Sequence, residues 1–93
     1  MAVTVRVPTI LRTYTGGSSE VSLVDAGTTL ATALAALETA APGIQTRILD
    51  DNGDLRRFVN VYVDDEDVRF TDGLATPVTD SSAIAVIPAV AGG

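Results

Sequence analysis

Residues 20–43 read EVSLVDAGTTLATALAALETAAPG, and the hydrophobic period changes inside this stretch. Glu20 to Val24 alternates polar and apolar residues, the period-two pattern of a half-buried strand. Leu30, Leu34, Leu37 and Ala41 then recur at helical spacing. Thr28 or Thr29 is suited to cap the first turn, because a threonine oxygen accepts an orphan backbone N–H. Alanine fills the intervening positions and favours helix. Pro42-Gly43 stops it. The stretch therefore predicts a strand followed by an amphipathic helix of about three to four turns. The helix carries an apolar stripe that needs a sheet to cover.

The flanking sequence supplies that sheet. In AVTVRVP, Val3, Val5 and Val7 point one way while Thr4 and Arg6 point the other. Thr15-Gly16-Gly17-Ser18-Ser19 is a turn cluster. The first two strands therefore pair as an antiparallel hairpin with a long loop. Beyond the helix, Ile44 to Leu49 reads as a short extension and Asp51-Asn52-Gly53-Asp54 as a turn. Phe58 to Val63 is a strong strand, with Val59, Val61 and Val63 on one face and Phe58, Asn60 and Tyr62 on the other. Asp64-Asp65-Glu66-Asp67 reads as an acidic turn and Val68-Arg69-Phe70 as a short returning strand. Asp72-Gly73 is a further turn. Ala83 to Val90 is the last strand, with Ile84 and Val86 opposed to Ala85 and Ile87. A hairpin followed by a crossover helix places the helix on one face of a mixed sheet. The expected class is α+β, a β-grasp or ubiquitin-like roll, with a domain over residues 1–88 and a flexible tail over residues 89–93.

Composition narrows the function. The 93 residues are 46% hydrophobic and 19% charged, as in an ordinary globular chain, and suffice for one small core. The absence of cysteine removes disulfides, a thiolate nucleophile and cysteine metal sites. The absence of histidine removes the commonest general base and metal ligand. No apolar run approaches the length of a membrane span, and MAVTVRVPTI lacks the features of a signal peptide. A cytoplasmic chain without membrane association is expected. The net charge of −6 argues against nucleic acid and favours basic protein partners. All six cationic side chains are arginine. Codon bias explains this, and so does a carrier that avoids side-chain amines near a reactive acyl terminus.

Two acidic clusters invite a metal reading. Asp50, Asn52 and Asp54 begin like a calcium loop, but Leu55 and Val61 stand where such a loop needs glycine and glutamate. Asp64 to Asp67 solvates a strand reversal or attracts a basic partner. No catalytic triad, phosphate loop or dinucleotide fingerprint is present. An enzyme acting alone is not expected, and neither is a bound metal or cofactor.

The ending IPAVAGG then draws attention. Pro88 fits a strand end. Ala89 to Gly93, extended, reach roughly 16–18 Å, enough to enter another protein's active site. Val90 and Ala91 are small, Gly92 gives clearance in a narrow channel, and the Gly93 carboxylate is the candidate reactive group. Adenylation by ATP would give that carboxylate a good leaving group, and sulfur could then displace AMP. Opposite the helix, the sheet would show Phe58, Tyr62 and Ile87, with Arg6 and Phe70 near. An apolar patch rimmed by arginine suits a docking surface. Edge aromatics packed under loops would give the same pattern.

The strand–strand–helix–strand order and the ending Pro-Ala-Val-Ala-Gly-Gly resemble the MoaD/ThiS-type ubiquitin-like sulfur-carrier proteins. VTVRVPTILRTYTGG, RFVNVYVDDEDVRF, GLATPV and IPAVAGG carry the resemblance. It implies adenylation at Gly93 by an enzyme similar to MoeB or ubiquitin-activating enzymes, with ATP used by that partner, and then a thiocarboxylate. The branch it most resembles hands sulfur to a cysteine synthase, and a metalloprotease releases the product. Related carriers serve a ThiG-like thiazole synthase or the large subunit of molybdopterin synthase, and thiosugar and other secondary-metabolite pathways share such carriers. The resemblance also places Ile87 and Phe70 on a docking patch. Two other readings remain at this point: a ubiquitin-like modifier joined to partner lysines through Gly93, and a structural binding module with an inert tail.

Overall fold

A computed structural model of the chain describes residues 3–57, 59–79 and 81–88. The elements run β1 (Val3–Arg6), β2 (Glu20–Leu23), α1 (Leu30–Ala40), α2 (Gln45–Ile48), β3 (Val59–Val63), β4 (Glu66–Asp67) and β5 (Ala83–Pro88). They form a five-stranded sheet in the order β2-β1-β5-β3-β4. β1 and β5 are parallel at its centre, and the other pairs are antiparallel. This is the mixed sheet and crossover helix of the β-grasp roll.

The period change seen in the sequence becomes the core. Val3, Val5, Val61, Ile84 and Val86 line the inner face of the sheet, and Leu30, Leu34 and Leu37 of α1 close over them. Each of the three leucines is fully buried. Burying a side chain of this size is worth roughly 1.5–3 kcal/mol, so this layer supplies much of the driving force for folding.

Thr29, not Thr28, is the N-cap. Its hydroxyl oxygen accepts the Thr32 N–H at 3.3 Å, and the Thr32 hydroxyl oxygen accepts the Thr29 N–H at 3.1 Å. The two threonines form a reciprocal capping box. Gly27 just before it has φ +82, and a Cβ there would collide with the Thr32 side chain. The same helix end is tied to the chain before β5. Leu30 N–H donates to the Thr76 carbonyl and Val78 N–H to the Thr28 carbonyl, both at 2.9 Å.

Several expectations change in detail. The long hairpin loop is not irregular: Thr9–Thr15 form a 3-10 helix, which Gly16 ends in the left-handed region. Its Leu11 is buried in the core. The extension at Ile44 to Leu49 is a helical turn, α2, whose Ile48 is also fully buried. The returning strand is shorter and earlier than Val68–Phe70. Asp64 and Asp65 have φ of 52 and 72 and make the reversal alone, so Glu66 and Asp67 already pair with β3. The Asp67 side chain then accepts the Arg69 N–H at 2.9 Å, which turns the chain into a 3-10 helix over Val68–Phe70. The last strand is described over Ala83–Pro88, and its expected continuation to Val90 lies outside the described residues. Phe58 and the tail over residues 89–93 lie outside the described residues.

Glu38 joins the two helices. Its carboxylate accepts the N–H of Gly43 at 2.8 Å and of Gln45 at 3.0 Å. These two bonds, the Gly43 one foremost, hold its pKa below the ordinary 4.5 against a small opposing effect of burial. A lowered folded pKa means that the stabilisation is present above the ordinary value and is lost as pH falls through the folded one. Glu38→Gln is therefore expected to melt below the unaltered protein at neutral pH. The gap should close in acid, below about 4.5, as read by thermal unfolding across a pH series.

Candidate functional site

Two strands run out at the end where the tail is attached. Because β1 and β5 are parallel, with Arg6 beside Ala85, both point their C-terminal ends the same way. β3 begins there, with Val59 opposite Pro88, and β2 begins there, with Glu20 opposite Arg6. Residues 89–93 are thus joined to the sheet at a junction of four strands.

The sheet face away from α1 carries the outward residues of each strand. Asn60 lies opposite Ile87, and Tyr62 opposite Ala85, across the β3–β5 pair. Arg6 lies beside Ala85 on the other side. Ile87 is 48% exposed and Tyr62 is half-buried. Arg6, Val7, Pro8, Ala85, Val86 and Ile87 line a shallow groove of ≈ 270 Å³ that leads to the tail junction. Of the expected patch, the structure brings Ile87, Tyr62 and Arg6 onto one strip. Phe70 ends the 3-10 turn that follows β4 and is 89% exposed, so it packs under no loop. The place of Phe58 is not described.

Sequence reasoning missed Arg69. Its guanidinium donates to the Asn60 side-chain oxygen and to the Arg56 carbonyl, both at 2.6 Å. It thus spans the entry to β3 and covers the side chain facing Ile87. Arginine next to an exposed aromatic was the only sequence signal for this, and it does not specify a partner. Asp64 was read as solvating a turn, but it also pins β5. Its carboxylate accepts the Ala83 N–H at 2.9 Å and the Ser82 hydroxyl at 3.2 Å. The Asp50 carboxylate in the calcium-like stretch accepts the N–H groups of Asn52 and Asp54, at 2.9 and 3.1 Å, and closes its own turn.

A profile of the ThiS family matches residues 5–93. The chain belongs to the ThiS family of ubiquitin-like sulfur carriers. This ThiS-family chain is 50% identical to the sulfur carrier protein CysO of Mycobacterium tuberculosis over 95 residues, covering all of both chains. A crystal structure of the Amycolatopsis orientalis BexX/CysO complex matches with a TM-score of 0.90 and 47% identity. That match covers 99% of this chain and 100% of the other. The small archaeal modifier protein 3 of Haloferax volcanii is 37% identical over 70 residues, 75% of each chain. The ThiS-family chain is therefore a sulfur-carrier homologue of CysO with a β-grasp fold. Among its described residues, no helix is long and apolar enough to cross a membrane.

If the strip docks a partner, Ile87 is its apolar centre. Ile87→Asp changes a half-exposed side chain outside the buried core, so it should weaken folding less than it weakens partner binding. Partner binding should weaken by more than about 1 kcal/mol. Calorimetric titration beside a thermal melt separates the two, and unchanged affinity would refute the assignment.

Proposed function

We propose that this chain carries sulfur as a thiocarboxylate on Gly93. The end-to-end likeness to CysO carries the reading, because it spans the fold and the Gly-Gly ending together. The chemistry follows from the terminal group. A carboxylate is a poor electrophile, so ATP first converts it to an acyl adenylate and releases pyrophosphate. A hydrosulfide equivalent then attacks the acyl carbon and AMP leaves. The product is a sulfur nucleophile delivered by protein docking, which replaces a bimolecular search with a held geometry. Gly92, Ala91 and Val90 thread the partner's channel, and the strip around Ile87 settles beside it.

Two kinds of partner are implied for the sulfur transfer itself. One is an adenylating enzyme of the MoeB or ubiquitin-activating type, which binds the ATP. The other is a sulfur-accepting synthase. A cysteine synthase suits the likeness to CysO, and the BexX/CysO complex supports docking of such a carrier on a second protein. A ThiG-like synthase or the molybdopterin synthase large subunit would use the same terminal chemistry. A metalloprotease would release a product left joined to Gly93. The chain itself acts as co-substrate.

A second reading has its own support in the likeness to the archaeal modifier protein. A modifier would join Gly93 to lysines of other proteins. This chain has no lysine, so its own side chains offer no amine for building a linked series.

Intact mass after incubation with ATP, an adenylating enzyme and a sulfur source tests both. Exchange of one oxygen for sulfur at Gly93 supports the carrier, and stable adducts to other proteins support the modifier. No change with a panel of activating enzymes would remove both readings. Deleting Gly92 and Gly93 should abolish the exchange and leave the melting temperature where it was.

A further inference from the structure

The net charge of −6 suggests a basic partner. The placement of the charges suggests otherwise at the end that matters. Arg6 ends β1, and Arg12 donates to the carbonyl of the next residue, Val7, at 3.2 Å. Together with Ser19 and Glu20 they line a depression of ≈ 270 Å³ beside the tail junction. On the other side, exposed Arg57 shortly precedes Val59, which faces Pro88. Arg69 lies over Asn60, which faces Ile87. Four of the chain's arginines thus flank the last described residues of β5. The bonds that hold Arg12 and Arg69 go to neutral oxygens, so their charge is not compensated by those contacts. The carboxylates nearest in register are Glu20, opposite Arg6, and Asp67, opposite Tyr62.

The far end of the sheet is acidic. Asp64, Asp65 and Glu66 cap the β3–β4 reversal, and Asp25 follows β2, whose Leu23 lies opposite Val3. β3 separates the two ends by roughly 13 Å at the usual rise per strand residue. That exceeds the Debye length of about 8 Å at physiological salt. An approaching surface therefore responds to the near end rather than to the net charge.

We infer that the tail-exit end docks on a partner surface rimmed with carboxylates. The inference rests on the carrier reading, in which the tail enters a partner's channel. The basic end then draws the acidic channel mouth while the acidic far end is turned away, so the chain arrives tail first. A protein surface fits better than nucleic acid. The centre of the arginine flanks is the apolar strip of Ile87, Ala85 and Tyr62, and the remaining carboxylates repel a long polyanion.

The test has two arms. In the first, the isotope-labelled chain is titrated with a short polyglutamate peptide at low salt and followed by amide shifts. Shifts should concentrate at Arg6, Arg12, Arg57, Arg69 and Ile87 and vanish in the double variant Arg6→Gln/Arg57→Gln. Shifts that are absent, or spread evenly over both ends, would overturn the inference, as would tighter binding of an oligonucleotide to the same face. Both replaced side chains are exposed, so the fold should survive; Arg57→Gln alone serves if the double variant does not fold. In the second arm, association with an adenylating enzyme that charges the chain is timed across ionic strength. The double variant should bind about tenfold more slowly at low salt and with a flatter salt dependence. Asp65→Asn/Glu66→Gln at the far end should change the rate far less. Equal salt dependence in all variants counts against an acidic rim. If no enzyme charges the chain, the carrier reading fails, and the peptide map still decides the charge of the surface that fits this end.

Discussion

The parallel pairing of β1 with β5 is the constraint on which the rest of the molecule depends. Parallel strands cannot be joined by a tight turn, so the chain between them must cross over the sheet. α1 is the main element of that crossing, and its Leu30, Leu34 and Leu37 bury the inner faces of both central strands. The same pairing sends the two strands out of the sheet side by side. The tail is therefore attached next to the end of β1, and Arg6 becomes a neighbour of the groove that leads to it.

Stability rests on an apolar core tied together by a few polar links. The buried residues are almost all apolar, and among the described residues no buried side-chain polar atom lacks a hydrogen-bond partner. The polar devices serve geometry: the Thr29–Thr32 box starts α1, Glu38 links α1 to α2, and Asp64 pins β5. No histidine or cysteine is present to do chemistry within the domain.

Legibility followed the strength of the local signal. The valine alternation at Val3, Val5 and Val7 and at Val59, Val61 and Val63 fixed which face of each strand is buried, and all six are. The helix stripe was equally clear. Short segments were not. Val68-Arg69-Phe70 has the composition of a strand, but a side-chain bond from Asp67 bends it into a 3-10 turn. Ile44 to Leu49 has too few residues to show a period, and the burial of Ile48 decides its helical form. On the candidate site, Ile87 followed from alternation along one strand. Arg69 did not, because its bond to Asn60 joins residues nine apart through a reversal.

The sequence by itself determined the fold class, the buried faces and the family resemblance carried by the Gly-Gly ending. These depend on local period and on residues adjacent in the chain. The tertiary structure alone decided which side chains surround the tail junction. Arg6, Arg12, Arg57 and Arg69 are spread over most of the chain, and their gathering at one end needs strand order and register. Net charge, a sum over composition, is negative, whereas strand order and register gather four of the six arginines at the tail-exit end. A field that decays within a Debye length reports the local arrangement rather than the total.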